Sequence, residues 1–212
     1  MTHEEVMAQI KVLMLAGYET TSGKTFPLSD SRKISDVRVP MTGAFIKLAR
    51  KPEVQSKLRD ELSLLSVNDP TWEQLTNGLP YLDAVVHEIF RLRAPIPDIA
   101  RVADVIPGVV VPMDWMNRST AIWGPDAKEF IPERQSQNLP MEAQDIQGHR
   151  HLLTFLDGPR ICLGRAFALA EFKLCKAVPS VLVRDFTFKY KDGPKVSGEE
   201  DIQVPMRIRR VE

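Results

Sequence analysis

The sequence predicts a mainly α-helical fold with a small β component. Apolar residues recur at helical spacing through several stretches, and proline or glycine stands at most of their ends. Alternation typical of strands is confined to two short regions, one in the middle of the chain and one near its C-terminal end. With 212 residues and 43% apolar composition, the chain is long enough to bury a core.

The composition argues against several classes of protein. Lys plus Arg and Asp plus Glu both number 28, so no overall field favours nucleic acid or an anionic membrane. Two cysteines do not form a disulfide framework, which favours a reducing compartment. No apolar run reaches the roughly twenty residues of a membrane span, and the first residues do not resemble a signal peptide. We therefore expect a soluble or peripheral intracellular chain with no membrane anchor and no nucleic-acid partner.

The first predicted helix covers about residues 2–21. Thr2 and Glu5 match a capping box, and an apolar stripe follows at Val6, Ile10 and Leu13. This pattern indicates an amphipathic or buried helix. From Gly23 to Gly43, prolines and a mixed polar run give no regular period, so we predict a surface loop.

Two more helical regions follow. Helical spacing resumes at Ala44, pauses at Pro52 and continues to Leu65, and proline is well placed in the first turn of the second segment. A further helix is predicted to open at Pro80 and to end after Leu92, where two prolines follow.

The remaining elements are shorter. Residues 99–111 are rich in Val and Ile with Pro and Gly between them, which predicts short strands. Residues 123–148 are predicted to be mostly irregular. Residues 186–190 and 202–208 alternate like strands on either side of an Asp-Gly-Pro turn.

A single cysteine stands out in the stretch Phe-Leu-Asp-Gly-Pro-Arg-Ile-Cys-Leu-Gly, from Phe155 to Gly164. Glycine and proline predict a tight, exposed loop before Cys162, and an Ala/Leu-rich helix begins directly after it. A thiolate there faces backbone N–H groups and a helix N-terminus, both of which stabilise negative charge. Cys162 therefore suits a metal ligand, whereas Cys175 fits the usual role of a small buried hydrophobe.

This stretch resembles the haem-binding loop of the cytochrome P-450 family, in which the cysteine is the thiolate ligand of haem iron. The resemblance implies that Cys162 binds iron, that Phe155 packs beside the thiolate and that Gly158 permits the turn. It also implies that Arg160 pairs with a haem propionate and that Gly164 lets the next helix approach the porphyrin.

Ala16-Gly-Tyr-Glu-Thr-Thr is similar to the oxygen-side helix of the same family. The resemblance implies that Glu19 is the acid and Thr20 the hydroxyl of a proton path to iron-bound dioxygen. Splitting dioxygen releases water, so the chemistry needs such a path from solvent. At this spacing the Thr20 hydroxyl can also return to the Ala16 carbonyl.

Two further segments resemble supports of the cysteine loop. Glu88-Ile-Phe-Arg91 is similar to the family's Glu-x-x-Arg pair, and Pro132-Glu-Arg-Gln resembles its Pro-Glu-Arg-Phe segment. The resemblance implies a buried triad of Glu88, Arg91 and Arg134. Gln135 replaces the usual aromatic residue, and Leu156 stands where the family has a small one.

The motifs follow the family's order but resemble only the C-terminal half of its fold. We therefore predict one partial, haem-ligating domain over residues 1–212, with residues 23–43 as an irregular insertion. The resemblance, which is closest to fungal members, implies a haem-thiolate monooxygenase that inserts one oxygen atom of O2 into an organic substrate. NADPH would supply electrons through a flavoprotein reductase, and full-length relatives are expected at the endoplasmic reticulum membrane.

Two alternatives remain open at this point. In the first, the chain is a non-catalytic, truncated or mis-spliced fragment of a cytochrome P-450, in which residues 23–43 are a retained intron. More remotely, Gly17 to Thr25 approximates a phosphate-binding loop, but five residues separate the glycines where the pattern requires four. Pro27 would also break the helix that should cradle the phosphate.

Overall fold

A computed structural model provides the architecture of the chain. It describes residues 1–22, 40–65, 71–95, 100–102, 110–176, 184–188 and 206–210. Within these ranges the fold is mainly helical with two small antiparallel strand pairs, as the sequence predicts.

The first helix, α1, runs from His3 to Ser22. The predicted capping box forms, since the Thr2 N–H donates to the Glu5 carboxylate at 2.7 Å and the Glu5 N–H donates to the Thr2 hydroxyl at 3.2 Å. The apolar stripe of α1 is not buried. Val6, Ile10 and Leu13 are 39%, 44% and 55% exposed.

Helices α2 (Pro40–Ala49) and α3 (Pro52–Leu62) differ from the prediction at their ends. The predicted loop over 23–43 is wrong for residues 40–43, which form the first turn of α2, while residues 23–39 lie outside the described ranges. Helix α3 ends before Leu65, because the Leu65 N–H bonds to the Leu62 carbonyl in a tighter turn.

Helix α5 (Pro80–Leu92) follows a short, unpredicted helix, α4 (Trp72–Asn77). The signal for α4 is a capping box, in which Thr71 and Gln74 exchange side-chain and backbone hydrogen bonds. Helix α5 has no side-chain cap of its own. Instead the Glu61 carboxylate accepts from the N–H groups of Tyr81 and Leu82, both at 2.7 Å.

The remaining described elements are short except for α9. They are β1 (Ala100–Val102), β2 (Val110–Pro112), α6 (Met113–Arg118), α7 (Thr120–Trp123), a 3-10 turn (Pro132–Ser136), α8 (Met141–Gln144), a second 3-10 turn (Gly158–Arg160), α9 (Arg165–Lys176), β3 (Arg184–Phe188) and β4 (Met206–Arg210). Strand β1 pairs with β2, and β3 pairs with β4. No described helix combines the length and the apolar character needed to cross a membrane.

The main core lies between α2, α3, α5 and α9. Its buried members include Leu48, Leu58, Leu82, Ile89 and Phe172. A second cluster surrounds the fully buried Trp123 and includes Leu152 and Leu153, just before the cysteine loop. Helix α5 is buried along most of its length, so it is the element on which the others pack.

Asp83 of α5 ties α9 and the segment before the cysteine loop to the core. Its carboxylate accepts from Lys173 at 2.7 Å and from Arg150 at 2.9 Å, and the His87 ring lies 3.4 Å away. Burial alone would raise the pKa of Asp83, but hydrogen bonds and charge from His87 and Lys173 outweigh it and hold that pKa well below its usual range. Lys173 is itself buried and also donates to the Leu75 carbonyl at 2.8 Å.

Replacement of Lys173 by methionine should lower the free energy of unfolding by about 2 kcal/mol, because it removes one donor from the partly buried Asp83 carboxylate, which keeps Arg150, and the side-chain donor from the Leu75 carbonyl. Urea unfolding measures the loss. Lys57→Met is the matched control, since Lys57 forms an exposed ion pair with Glu133 and should cost at most about 1 kcal/mol. Equal losses in the two variants would contradict a buried role for Lys173.

His149 contacts His87 from the segment before the cysteine loop. The two Nε2 atoms are 3.3 Å apart, and the other ring nitrogen of His87 bonds to the Asp83 carbonyl at 2.8 Å. Burial lowers the pKa of His149 to about 4, and the neighbouring charges of His87, Arg165 and Arg150 add to the effect.

Stability should therefore decline as the medium is acidified. An unfolded histidine titrates near about 6.5, so the contribution of neutral His149 is fully present above that pH and is lost as pH falls toward 4. Urea unfolding between pH 7 and 4 should show a shallower decline in His149→Asn than in the wild type. The control His151→Asn leaves the His87–His149 contact in place, and an unchanged decline in His149→Asn would contradict the account.

Candidate functional site

Cys162 lies exposed where the loop meets α9. The Cys162 N–H donates to the Phe155 carbonyl at 2.8 Å, which closes the loop upon itself. Inside this closure, the 3-10 turn at Gly158–Arg160 is extended by a bond from the Ile161 N–H to the Gly158 carbonyl at 3.1 Å. These bonds hold the cysteine backbone just before the N-terminus of α9.

Two residues of the loop adopt the left-handed backbone region. Gly158 has φ 61°, which glycine adopts without strain. Leu156 also has φ 61°, and a residue with a Cβ pays about 1 kcal/mol or more for this conformation. Among small residues only glycine would avoid that strain, whereas the Leu156 side chain packs against the second core cluster.

The surface around Cys162 is apolar and open. Ile161, Leu163 and Phe167 are 44%, 87% and 67% exposed, which is unusual for such large side chains in one place. A Cβ added to Gly164 would meet nothing within 4 Å. An exposed thiol within an apolar, unobstructed surface fits a flat, largely apolar ligand that offers a metal, such as haem.

Among the described residues, no group of three or more His, Cys, Asp or Glu side chains is arranged to hold a metal ion. Haem iron takes its equatorial ligands from the porphyrin and needs only an axial ligand from the protein.

Glu88 and Arg91 form a fully buried ion pair on α5. Arg91 Nε donates to Glu88 Oε2 and Arg91 Nη2 donates to Glu88 Oε1, both at 2.8 Å. The three remaining guanidinium N–H groups go to the carbonyls of Asn117, Ala127 and Glu129, at 2.8, 2.5 and 3.1 Å. All five N–H donors of Arg91 are therefore used.

Arg134 is brought to this pair but contacts it less directly than the sequence implies. Its Nε lies 3.7 Å from Glu88 Oε1, while its other nitrogens bond to the Trp123 carbonyl and to Asp126. The ion pair with the Asp126 carboxylate is 2.9 Å long, and the hydrogen bond from Arg134 lowers the pKa of that carboxyl despite some opposing desolvation. The three residues of the predicted triad do come together.

Asn117 connects the ion pair to the cysteine loop, and sequence reasoning missed it. Its carbonyl accepts from Arg91, its side-chain amide donates to the Thr154 hydroxyl at 3.1 Å, and its side-chain oxygen accepts from the Leu153 N–H at 3.3 Å. The Thr154 hydroxyl in turn donates to the Phe90 carbonyl at 3.0 Å. One polar residue in a segment without strong periodicity gave no signal of this role, because the contact is 36 residues away in sequence.

Phe155 anchors the loop in the main core. Its ring meets Phe90 edge-on with centroids 5.2 Å apart, and Phe90 also contacts Phe172 of α9 at 4.8 Å. Such aromatic pairs contribute about 0.5–1.5 kcal/mol beyond their buried area. The same residue thus offers its ring to the core and its carbonyl to the Cys162 N–H.

The predicted oxygen-side residues lie near the end of α1. The Thr20 hydroxyl donates to the Ala16 carbonyl at 2.7 Å, as its spacing predicts. A Cβ added to Gly17 would meet nothing within 4 Å, so there is open space beside the helix at this position. Helix α1 contacts α9, so the two predicted parts of the site lie on neighbouring elements. The side chains of Glu19, Arg160 and Cys175 lie outside what the structure describes.

The remote phosphate-binding alternative is not compatible with the backbone of α1. Residues 17–22 continue the helix, whereas a phosphate-binding loop must leave its N–H groups free in this region. The lysine and threonine at positions 24–25 lie outside the described residues.

Comparison with known proteins gives a consistent family. The family model described as Cytochrome P450 matches residues 37–210. The chain is 47% identical to cytochrome P450 monooxygenase claW of Ampulloclitocybe clavipes, over all of this chain and 43% of the relative. It is 36% identical to cytochrome P450 monooxygenase 205 of Postia placenta, over 92% of this chain and 37% of the relative.

The chain spans less than half the length of these curated relatives, so it corresponds to a partial P450 fold. The relatives are fungal, as the resemblance implies. The exposed cysteine before α9, the buried Glu88–Arg91 pair and the extent of the family match lead to one conclusion: the chain belongs to the cytochrome P450 family.

Proposed function

We propose that the chain provides the haem-ligating part of a haem-thiolate monooxygenase, with Cys162 as the iron ligand. The observation that carries the proposal is the exposed thiol at the start of α9, set within an apolar surface and on a loop tied to a buried ion pair. Membership of an oxidoreductase family and the monooxygenase names of the relatives support it.

The loop residues have separate tasks in this proposal. Cys162 supplies the thiolate, Arg160 pairs with a haem propionate, and Gly158 and Gly164 keep the loop compact and the porphyrin side open. Phe155 holds the loop in the core while its carbonyl fixes the Cys162 backbone. Haem bound there supplies iron for dioxygen activation, and a thiolate ligand favours cleavage of the O–O bond.

Glu19 and Thr20 are the proposed proton-delivery residues. The Thr20 hydroxyl gives its hydrogen to the Ala16 carbonyl, so its oxygen lone pairs stay available to accept a hydrogen bond from bound water. A carboxylate one residue earlier on the same helix can exchange protons with solvent.

The remaining components of the reaction follow from the same proposal. An organic substrate and O2 are consumed, and NADPH supplies electrons through a flavoprotein reductase. The full-length protein is proposed to work at the endoplasmic reticulum membrane. These assignments rest on the family and not on a contact in this chain.

A second candidate is a non-catalytic chain that does not hold haem. One observation favours it: the match to claW runs over 252 positions, whereas this chain has 212 residues, so the relative contains internal segments without a counterpart here. Two proposals depend on whether this difference is a biological change or a splicing error. They are the insertion at residues 23–43 and the single partial domain over residues 1–212. Sequencing of the transcript distinguishes a biological change from a splicing error.

Haem titration of the purified chain tests the proposal. The wild type should bind haem, and its reduced, carbon-monoxide-treated form should show the strongly red-shifted Soret band of thiolate ligation. Cys162→Ala should lose that band completely, because the only proposed protein ligand has been removed. Cys175→Ala is the matched control and should keep it.

Persistence of the red-shifted band in Cys162→Ala would refute the assigned ligand. Failure of the wild type to take up haem under conditions where its far-ultraviolet spectrum shows the expected helices would favour the non-catalytic candidate.

A further inference from the structure

The carboxylate of the buried Glu88 accepts hydrogen bonds from two sides. On one side Arg91 donates to both oxygens. On the other side, the Ile131 N–H donates to Oε1 at 3.2 Å and the Gln135 side-chain amide donates to Oε2 at 3.3 Å. The segment that contains Arg134 therefore gives Glu88 two hydrogen bonds, and neither comes from Arg134.

Arg134 is directed elsewhere. Its Nη1 donates to the Trp123 carbonyl at 3.2 Å and pairs with the Asp126 carboxylate at 2.9 Å, and its Nη2 donates to the Asp126 carbonyl at 3.0 Å. Its Nε is buried, has no hydrogen-bond partner among the described residues and lies 3.7 Å from Glu88 Oε1. That distance is beyond a hydrogen bond, so Arg134 acts on Glu88 through charge.

We propose that Gln135, rather than Arg134, is the side chain through which the Pro132–Ser136 turn positions Glu88. A neutral amide suits this place, because the charges are already balanced: Arg91 pairs with Glu88, and Arg134 pairs with Asp126. The aromatic side chain that the family resemblance implies at this position would offer no comparable donor to Oε2. Gln135 is thus a positioning residue that compensates for the longer Arg134–Glu88 distance.

The location of Gln135 explains why its replacement should be measurable. The residue is half-buried and lines a cavity of about 260 Å³ together with Asp83, His87 and Arg150. Its side-chain amide lies at the wall of this cavity and donates a hydrogen bond to the buried Glu88 carboxylate. Loss of the donor leaves Oε2 of Glu88 with Arg91 as its remaining described partner.

Two substitutions at position 135 test the inference by urea unfolding at pH 7 and pH 5. Gln135→Met keeps the length of the side chain but removes the donor, and it should lower the equilibrium constant for folding about tenfold at both pH values. Gln135→Glu places a second carboxylate beside Glu88. It should be more destabilising than Gln135→Met at pH 7 and should recover, relative to wild type, at pH 5, because a protonated carboxyl can donate to its neighbour.

Gln137→Met and Gln137→Glu are matched controls. Gln137 caps the end of the same turn and is exposed, and it borders a second cavity that Gln135 also lines, so both variants should stay within about twofold of wild type. The proposal is overturned if the two Gln135 variants match these controls. It is also overturned if Gln135→Glu shows the same deficit as Gln135→Met at both pH values. Should Gln135→Glu fail to fold at pH 7, its refolding at pH 5 still decides between these outcomes.

The inference rests on the proposed function in one readout alone, the haem spectrum. Gln135→Met should lower the fraction of haem that shows the thiolate band, and Gln137→Met should not. If the wild type binds no haem, the proposed function fails, while the stability comparison still decides the role of Gln135.

Discussion

The buried ion pair between Glu88 and Arg91 is the interaction on which the rest of the structure depends. Desolvation of two charges costs several kcal/mol per ion, and this cost is offset only when the remaining donors and acceptors are satisfied. Here the guanidinium uses all five donors, and three of them go to backbone carbonyls, one within α6 and two between α7 and the Pro132–Ser136 turn. That region has little regular structure of its own, so the arginine supplies hydrogen bonds that strands or long helices would otherwise provide.

The cysteine loop is held at its N-terminal end by residues that lie next to this pair. The Asn117 carbonyl accepts a hydrogen bond from Arg91, and its side chain accepts one from the N–H of Leu153, two residues before Phe155. The ring of Phe90 meets the Phe155 ring edge-on. The loop can therefore expose Cys162 without losing its shape. An exposed thiol in an apolar setting is a poor arrangement for a lone protein but a suitable one for the axial ligand of a bound haem.

Much of the helical framework could be predicted from the sequence, because proline at the first turn and apolar spacing mark α3 and α5 directly. The loop around Cys162 was identifiable because its residues are contiguous. Asn117 and Gln135 were not, since their roles depend on contacts 36 and 47 residues away that leave no local pattern. The apolar spacing of α1 predicts a helix with an apolar face, but whether that face is buried depends on neighbouring elements. In this structure the apolar stripe of α1 is exposed.

Amide hydrogen exchange in Asn117→Ala tests most directly whether the buried pair holds the cysteine loop. The Leu153 and Cys162 amides should lose protection by a larger factor than the amides of α3, because a local link has been cut. Asn77→Ala, at the exposed end of α4, should leave both sets unchanged. A uniform loss across α3 and the loop in Asn117→Ala would show that the asparagine contributes only to global stability, and would contradict the account.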